Sequence, residues 1–185
     1  MRTEPTATTY LVLGYLFLSP RSGYEIRTAF NRGARFFWNV SPAQLYPELK
    51  RLEAAGLIAG EDASRGARPK VVYRLTDAGR SALEEWLGRP AAVLELRDES
   101  LLKLFFADAV TREQAVALLR ARRSALTQRL AALEAIAAET AELKHAASNR
   151  LPWLTLDYGL ELTRWQADWC DRAEERIVSG DYAQT

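Results

Sequence analysis

The sequence predicts a mainly α-helical protein in two parts: a turn-rich first part with one small two-stranded hairpin, and a second part of long helices. Three observations lead to this prediction. Eight of the ten glycines precede residue 90, helix-capping residues recur along the chain, and apolar residues repeat with helical spacing. We place the boundary near residues 88–93, which divides the chain into domains 1–90 and 91–185.

Two helices open the first part. An apolar helix over residues 7–18 ends at Ser19-Pro20, because the residue before a proline disfavours the helical conformation. A second helix over residues 22–32 follows a Ser-Gly turn. The apolar stretch at 10–18 is too short to span a bilayer, and the weakly basic leader lacks a signal-peptide cleavage site. We therefore expect a cytoplasmic protein with no membrane partner.

The third helix lies within "SPAQLYPELKRLEAAG" and carries the strongest local signals. Ser41 is a favourable N-cap, and Gln44, three residues later, completes a capping-box pattern. Leu45, Leu49 and Leu52 recur at i, i+4 and i+7, which predicts that one face of the helix is buried.

Pro47 falls inside this helix, where a proline removes one hydrogen bond and favours a kink. A helix tolerates that defect best on the exposed face, opposite the leucines. We interpret Pro47 as part of a binding surface, because its ring offers a flat apolar contact to a sugar or a thymine methyl and no N–H to satisfy.

A hairpin and one more helix complete the first part. Two short strands, at 57–60 and 70–75, flank a loop rich in arginine and glycine. Thr76 then caps a helix that runs to about residue 88. The order helix, helix, helix, hairpin, helix is that of a winged helix-turn-helix, in which the N-terminal part of the third helix enters the major groove of DNA.

The exposed face of the third helix and the basic loop form the predicted DNA-binding surface. Residues 1–90 carry 13 Lys and Arg against 9 Asp and Glu, a net charge of +4, whereas residues 91–185 carry 12 against 15, a net charge of −3. Glutamine pairs with adenine, and cations bind phosphates, guanine edges or a minor groove. The same residues would also suit a purely solvated surface. The predicted contacts are Ser41, Gln44, Tyr46, Pro47, Lys50 and Arg51 on the helix, and Arg65, Arg68 and Lys70 on the wing.

The second part is predicted to consist of three helices. An amphipathic helix spans 98–109, a long helix runs from Thr111 to about residue 147, and a final helix follows a break at Pro152. The apolar stripes of these helices are too long for a segment of this size to bury alone, so we expect a second copy of the chain to cover them. The predicted dimerisation residues are Leu119, Leu126, Leu133, Leu162, Trp165 and Trp169.

Composition argues against catalysis and against a bound cofactor or metal. The chain has one cysteine, Cys170, and one histidine, His145, so it has no Cys/His zinc cluster and no disulfide within the chain. Phosphate-binding loops, a nucleophile elbow and a metalloprotease motif are all missing from the sequence. We therefore predict that the protein is not an enzyme.

Three segments together resemble the PadR family of transcriptional regulators: "YLVLGYLFLSPRSGYEI", "SPAQLYPELKRLEAAGLI" and "RPKVVYRLTDAGRSALEEWL". The later segments "RDESLLKLFFADAV" and "YGLELTRWQADW" are similar to the longer PadR subgroup with a helical C-terminal domain. The resemblance covers roughly residues 8 to 178. It implies a homodimeric winged-helix protein that binds double-stranded operator DNA, usually as a repressor, and that a small molecule often releases.

The aromatic residues are the candidates for such an effector site. In the family, effectors often lie at the domain junction or the dimer interface, where a planar aromatic molecule would stack on exposed rings. The candidates are Tyr10, Arg35, Trp38, Trp165 and Trp169, with Tyr10 and Arg35 as anchors for a carboxylate. Aromatic residues at helical spacing are more often simply core.

Two other functions remain open from the sequence. One is a protein-interaction module on a winged-helix scaffold that no longer binds DNA, which the basic wing disfavours. The other is a MarR-type regulator, which would place its dimerisation helices at both ends of the chain. Here nearly all the additional helix follows the wing, which favours PadR.

Overall fold

The computed structural model of the chain divides into two compact units, Met1–Ala92 and Val93–Thr185. The residues that the structure describes are 5–32, 34, 37–38, 41–63, 70–91, 97–142 and 150–181. Within this described part, no helix has the length and apolar character needed to cross a membrane.

The first unit contains four helices and three strands among its described residues. In chain order they are α1 Ala7–Leu18, β1 Arg21–Ser22, α2 Gly23–Arg32, α3 Pro42–Ala54, β2 Ile58–Asp62, β3 Val71–Leu75 and α4 Asp77–Leu87. The predicted helices and the two hairpin strands are confirmed. β2 and β3 form the predicted two-stranded wing. β1 adds a third strand that the sequence does not predict, because it pairs antiparallel with β3, Arg21 opposite Tyr73 and Ser22 opposite Val72.

The leucine stripe of α3 is part of the hydrophobic core of the first unit. Leu45, Leu49 and Leu52 are only 4%, 1% and 0% exposed, and they belong to the same cluster as Leu13 and Ile26. This confirms the predicted inner face of the third helix. Burial of three leucines stabilises the position of α3 by several kcal/mol, at about 1.5–3 kcal/mol for each side chain.

The second unit contains α5 Glu99–Phe105, a short 3₁₀ turn at Ala107–Ala109, α6 Arg112–Glu139 and α7 Arg150–Ser179. The predicted helix over 98–109 is therefore too long at its C-terminal end. The helix predicted to reach about residue 147 ends at Glu139, with Thr140 at its C-cap, and residues 143–149 lie outside the described part. Pro152 does not precede the final helix but lies in its first turn, where a proline is tolerated.

The apolar stripe of α6 is buried within its own chain. Leu119, Leu126 and Leu133 are 2%, 9% and 2% exposed, and α6 packs along α7. Ion pairs join the two helices in antiparallel order, with Arg120 bound to Glu174 at 2.6 Å and Arg164 bound to Glu134 at 2.9 Å. The premise that these three leucines need a second copy to bury them is therefore wrong, because α7 supplies the partner helix.

A partly buried ion pair connects the start of α5 to α6. The Arg122 Nη1 donates to Asp98 Oδ2 at 2.6 Å, and the Arg122 side chain is only 10% exposed. Asp98 is also the N-cap of α5, because its Oδ1 accepts hydrogen bonds from the backbone N–H groups of Ser100 and Leu101. Partial burial raises the pKa of Asp98, but the hydrogen bonds from Ser100 and Arg122 outweigh this effect and lower it to about 2.

This lowered pKa predicts an acid-sensitive contribution to stability. Because the pKa of Asp98 falls from an ordinary 3.8 to about 2 on folding, the ionised form stabilises the fold above about pH 4. The contribution, about 2 kcal/mol, is lost as the pH falls from about 4 to 2. Denaturant unfolding of the wild type and of Asp98→Asn between pH 6 and pH 2 checks this. The difference in their free energies of unfolding should shrink towards low pH, and a constant difference would contradict the prediction.

Candidate nucleic-acid interface

Helices α2 and α3 approach each other closely at Gly23. A Cβ atom at this position would lie 2.9 Å from Tyr46 Cε1 and 3.0 Å from Leu49 Cδ1. Both distances are shorter than side chains accept without a shift, so the missing Cβ allows α2 to begin directly against α3. The two helices are the helix pair expected of a helix-turn-helix.

The first turn of α3 has the predicted capping geometry. The backbone N–H of Ser41 donates to Gln44 Oε1 at 3.0 Å, and the helix begins at Pro42. The capping-box prediction is confirmed. Ser41 and Gln44 are both exposed, so the cap holds the Gln44 side chain at the end of the helix that would enter a major groove.

The outer face of α3 is exposed opposite its leucines. Gln44, Tyr46, Pro47 and Lys50 are all exposed. The helix continues through Pro47 to Ala54, although proline offers no N–H to the carbonyl of Ala43. Ala43 is exposed as well, so water can satisfy that carbonyl, and the helix tolerates the proline at this position.

Arg51 does not lie on this outer face as predicted. Its guanidinium turns towards α1, donating from Nη2 to Glu48 Oε1 at 2.6 Å and to Thr9 Oγ1 at 2.7 Å, and from Nε to Glu48 Oε2 at 2.8 Å. Its charge is thus already paired with the partly buried Glu48 carboxylate, and a contact of Arg51 with DNA stays a prediction. Of the two cations in α3, Lys50 is the one on the exposed face.

A cleft separates the start of α2 and the middle of α3 from the base of the wing. Its walls include Tyr24, Tyr46, Lys70 and Tyr73, and Glu25 lies between them. Lys70 Nζ donates to Glu25 Oε1 at 3.1 Å, so at least one bond of this cation is made within the protein. The predicted wing residues Arg65 and Arg68 lie outside the described part of the chain.

Glu25 stays ionised in this cleft. Its Oε2 accepts hydrogen bonds from the backbone N–H and the hydroxyl of Ser22, both at 2.7 Å. These bonds, together with the one from Lys70, lower the pKa of Glu25 to about 2. The carboxylate thus occupies the backbone and hydroxyl donors of Ser22, the residue before α2, and neutralises part of the Lys70 charge.

The predicted effector residues have different surroundings. Tyr10 is 9% exposed and stacks on Trp86 with ring centroids 4.6 Å apart, so its ring is part of the packing of α1 against α4. Its role as a carboxylate anchor stays a prediction. Trp38 and Trp165 are 42% and 57% exposed, whereas Trp169 is partly buried. Arg35 lies outside the described residues.

Sequence reasoning missed Tyr24, Thr9 and Glu48. Tyr24 is 62% exposed, lines the cleft and lies beneath the Arg27 guanidinium, 5.2 Å from the ring centroid. Thr9 is 1% exposed and contacts α3 from α1. The only signal for Glu48 was its i, i+3 spacing to Arg51, which brings opposite charges together on a helix.

These features define the class of the first unit. Three helices come first, and the third of them, α3, has an exposed polar face and a buried apolar face. An antiparallel hairpin with a cation at its base follows α3. This is a winged helix-turn-helix, an architecture of DNA-binding proteins.

Comparison with known proteins identifies the family. Residues 12–85 match the model of the transcriptional regulator PadR-like family, and residues 96–177 match the virulence activator alpha C-terminal model. The negative transcriptional regulator PadR of Bacillus subtilis is 30% identical over 168 residues, which cover 88% of this chain and 92% of that protein. The chain belongs to the PadR-like family of transcriptional regulators. The resemblance and the prediction of a transcriptional regulator are confirmed, and the interaction-module and MarR alternatives are not favoured.

Solved structures show the same architecture. Bacillus subtilis PadR in complex with operator DNA is similar with a TM-score of 0.84 and 28% identity, over 93% of this chain and 99% of that one. The structure of the same protein in complex with p-coumaric acid is similar with a TM-score of 0.77 and 27% identity, again over 93% of this chain and 99% of that one. The structure of the Vibrio cholerae virulence activator AphA is similar with a TM-score of 0.74 and 26% identity, over 94% of this chain and 99% of that one. The predicted mainly helical winged-helix fold is confirmed.

Proposed function

We propose that this protein is a sequence-specific DNA-binding repressor, and not an enzyme, that acts in the cytoplasm as a homodimer. The observation that carries the proposal is the likeness, over 88% of the chain, to a negative transcriptional regulator, whose crystal structure with operator DNA has the same fold. In this proposal, residues 1–90 bind DNA, residues 91–185 provide the dimer contact, and the candidate effector residues are found in both ranges.

The recognition surface consists of the exposed face of α3 together with the wing. Ser41, Gln44, Tyr46, Pro47 and Lys50 contact the major groove and its flanking phosphates. Pro47 contributes an apolar contact on a face that lacks one backbone donor. Arg65, Arg68 and Lys70 contact the phosphate backbone from the wing, with Lys70 shared between DNA and Glu25.

The homodimer places two copies of α3 on successive turns of the duplex, about 34–36 Å apart. Apolar side chains on the surface of the second unit support a second copy. Phe105 and Phe106 are 80% and 62% exposed and in edge-to-face contact with each other, and Trp165 is 57% exposed, so large apolar side chains are available for a second copy to cover. Leu162, Trp165 and Trp169 remain the proposed dimer contacts, whereas Leu119, Leu126 and Leu133 act within the chain.

The effector proposed for this regulator is a small aromatic acid. Bacillus subtilis PadR forms a complex with p-coumaric acid, and this chain exposes the indoles of Trp38 and Trp165. A planar acid would stack on such rings, and its carboxylate would be bound by a cation such as Arg35.

Fluorescence anisotropy with the duplex upstream of the protein's own gene tests this function, with a shuffled duplex of the same composition as control. We expect the operator to bind at least ~10³-fold more tightly than the control, and both affinities to fall steeply between 50 and 200 mM salt, as expected where cations contact phosphates. p-Coumaric acid should release the operator. Equal binding to both duplexes would contradict the DNA-binding proposal, and a complex unaffected by the acid would contradict the effector proposal alone.

A further inference from the structure

A buried hydroxyl group joins α3 to α1. Thr9 is 1% exposed; its Oγ1 donates to Glu48 Oε1 at 2.5 Å and accepts from Arg51 Nη2 at 2.7 Å. The same oxygen accepts from the backbone N–H of Thr6 at 3.0 Å, which caps α1. One side chain of α1 therefore contacts both charged groups of α3 that face inward.

The network contacts α3 immediately after the proline inside that helix. Glu48 directly follows Pro47, the point at which the helix lacks one of its backbone hydrogen bonds. Glu48 and Arg51 lie one turn apart, and both contact α1 through Thr9. The network therefore connects α3 to α1 just beyond the turn that lacks this backbone hydrogen bond. If the N-terminal half of α3 rotated about the helix axis, Gln44 and Tyr46 would move with it.

The charges of the network are balanced. Burial raises the pKa of Glu48, but hydrogen bonds from Arg51 and Thr9 outweigh it and lower the pKa, and the Glu48 contact raises the pKa of Arg51. The two groups stay ionised at neutral pH and cancel each other's charge. Arg51 therefore adds little to the positive potential of the DNA-binding face, which Lys50 supplies within α3.

We infer that Thr9, Glu48 and Arg51 are positioning residues that hold the rotation of α3 about its axis, and that Arg51 acts on operator selectivity through Glu48 and Thr9 rather than by binding a phosphate. This inference rests on the proposed DNA-binding function. It replaces one predicted DNA contact by an internal network that determines how the remaining contacts are presented.

Thr9→Val and Arg51→Gln, with Thr9→Ser as a control, distinguish a positioning role of the network from phosphate binding by Arg51. Thr9→Val removes the hydroxyl without changing size or charge, and at 1% exposure the side chain cannot touch DNA. We expect operator affinity to fall about tenfold, the loss of one charge-assisted hydrogen bond, with unchanged affinity for the shuffled duplex. Arg51→Gln should likewise lower operator affinity without changing the slope of log K against log salt. Thr9→Ser keeps the hydroxyl and should bind as the wild type does.

Lys50→Gln is the matched control, because it removes the neighbouring exposed cation from the same helix. This variant should weaken binding to both the operator and the shuffled duplex. It should also flatten the slope of log K against log salt by about 0.9, the change expected for one phosphate contact. If Arg51→Gln flattens the slope as much as Lys50→Gln does, Arg51 binds a phosphate and the inference is overturned. It is equally overturned if Thr9→Val is folded and keeps full operator selectivity.

Amide hydrogen exchange on the DNA-free protein tests the network independently of the proposed function. Thr9→Val should speed exchange in α3 relative to wild type and Thr9→Ser, while exchange in α6 stays the same. Unchanged exchange in α3 would overturn the inference even if the wild type binds its operator. Conversely, a wild type that binds no duplex while α3 exchange responds to Thr9→Val would refute the proposed function and leave the network in place.

Discussion

Replacing Gly79 with alanine is expected to destabilise the winged-helix unit by at least about 3 kcal/mol and to abolish operator binding at 37 °C. A Cβ atom at Gly79 would lie 2.0 Å from the carbonyl oxygen of Leu57 and 2.8 Å from Leu75 Cδ1. The first contact is with backbone, which no change of rotamer relieves. Overpacking of this kind typically costs 1–3 kcal/mol, and more where the backbone must move.

The displaced carbonyl of Leu57, just before β2, also holds the chain between α3 and β2 to the start of α4. The backbone N–H of Thr76 donates to Leu57 O at 3.2 Å, and the Thr76 hydroxyl lies 2.9 Å from the same oxygen. That hydroxyl in turn accepts from the backbone N–H of Gly79 at 3.0 Å as the cap of α4. Moving Leu57 weakens all three bonds, and loss of a cap alone costs about 1 kcal/mol.

Gly14→Ala is the matched control for this substitution. Gly14 lies inside α1, and a Cβ atom there would meet no other atom within 4 Å. Because alanine favours the helix over glycine, this variant should be up to about 1 kcal/mol more stable than the wild type. Thermal unfolding followed by circular dichroism distinguishes the two variants. A Gly79→Ala protein that melts with the wild type would show that the close contact relaxes without cost.

The helices of the first unit could be predicted because their signals are local. Ser41, Gln44 and the three leucines of α3 act within a few residues of one another, so the sequence alone indicates where the helix begins and which face is buried. Strand β1 could not be predicted in this way. Two residues carry no pattern, and Arg21 and Ser22 form a strand only because β3, some fifty residues later, pairs with them.

The side chains of the candidate site also depend on partners that are distant in the sequence, so they could be predicted only in part. Periodicity places Arg51 next to Lys50, near the outer edge of α3, but its side chain turns inward because Thr9 and Glu48 bind it, and Thr9 is 42 residues away. The spacing along α6 likewise predicts contact with a second copy, because it shows that a face is apolar and does not show what covers it. α7 covers it, and the charge pairs between the two helices become evident only when the helices are aligned.

Removing the charge of Asp98 is expected to have the second large effect, a loss of about 2–3 kcal/mol in the free energy of unfolding at neutral pH. Asp98→Asn keeps a side-chain oxygen that can cap α5, because asparagine is also a favourable N-cap. It leaves the Arg122 guanidinium, 10% exposed, without a charged partner. In the described part of the chain its Nε is already buried without a hydrogen bond. Breaking a buried pair on one side typically costs 3–5 kcal/mol, since the remaining charge is uncompensated.

The exposed pair between Arg164 and Glu134 provides the control with the same chemical change. Both side chains are about half exposed, so Glu134→Gln should cost no more than about 1 kcal/mol. The double variant Asp98→Asn, Arg122→Met also removes the unpaired charge of Arg122. It should recover most of the lost free energy of unfolding, because a well-packed apolar side chain replaces a buried ion at little cost. Urea unfolding at neutral pH compares the three proteins with the wild type. If Asp98→Asn costs no more than Glu134→Gln, or if the double variant is no more stable than the single one, Arg122 is solvated well enough to remain charged without Asp98.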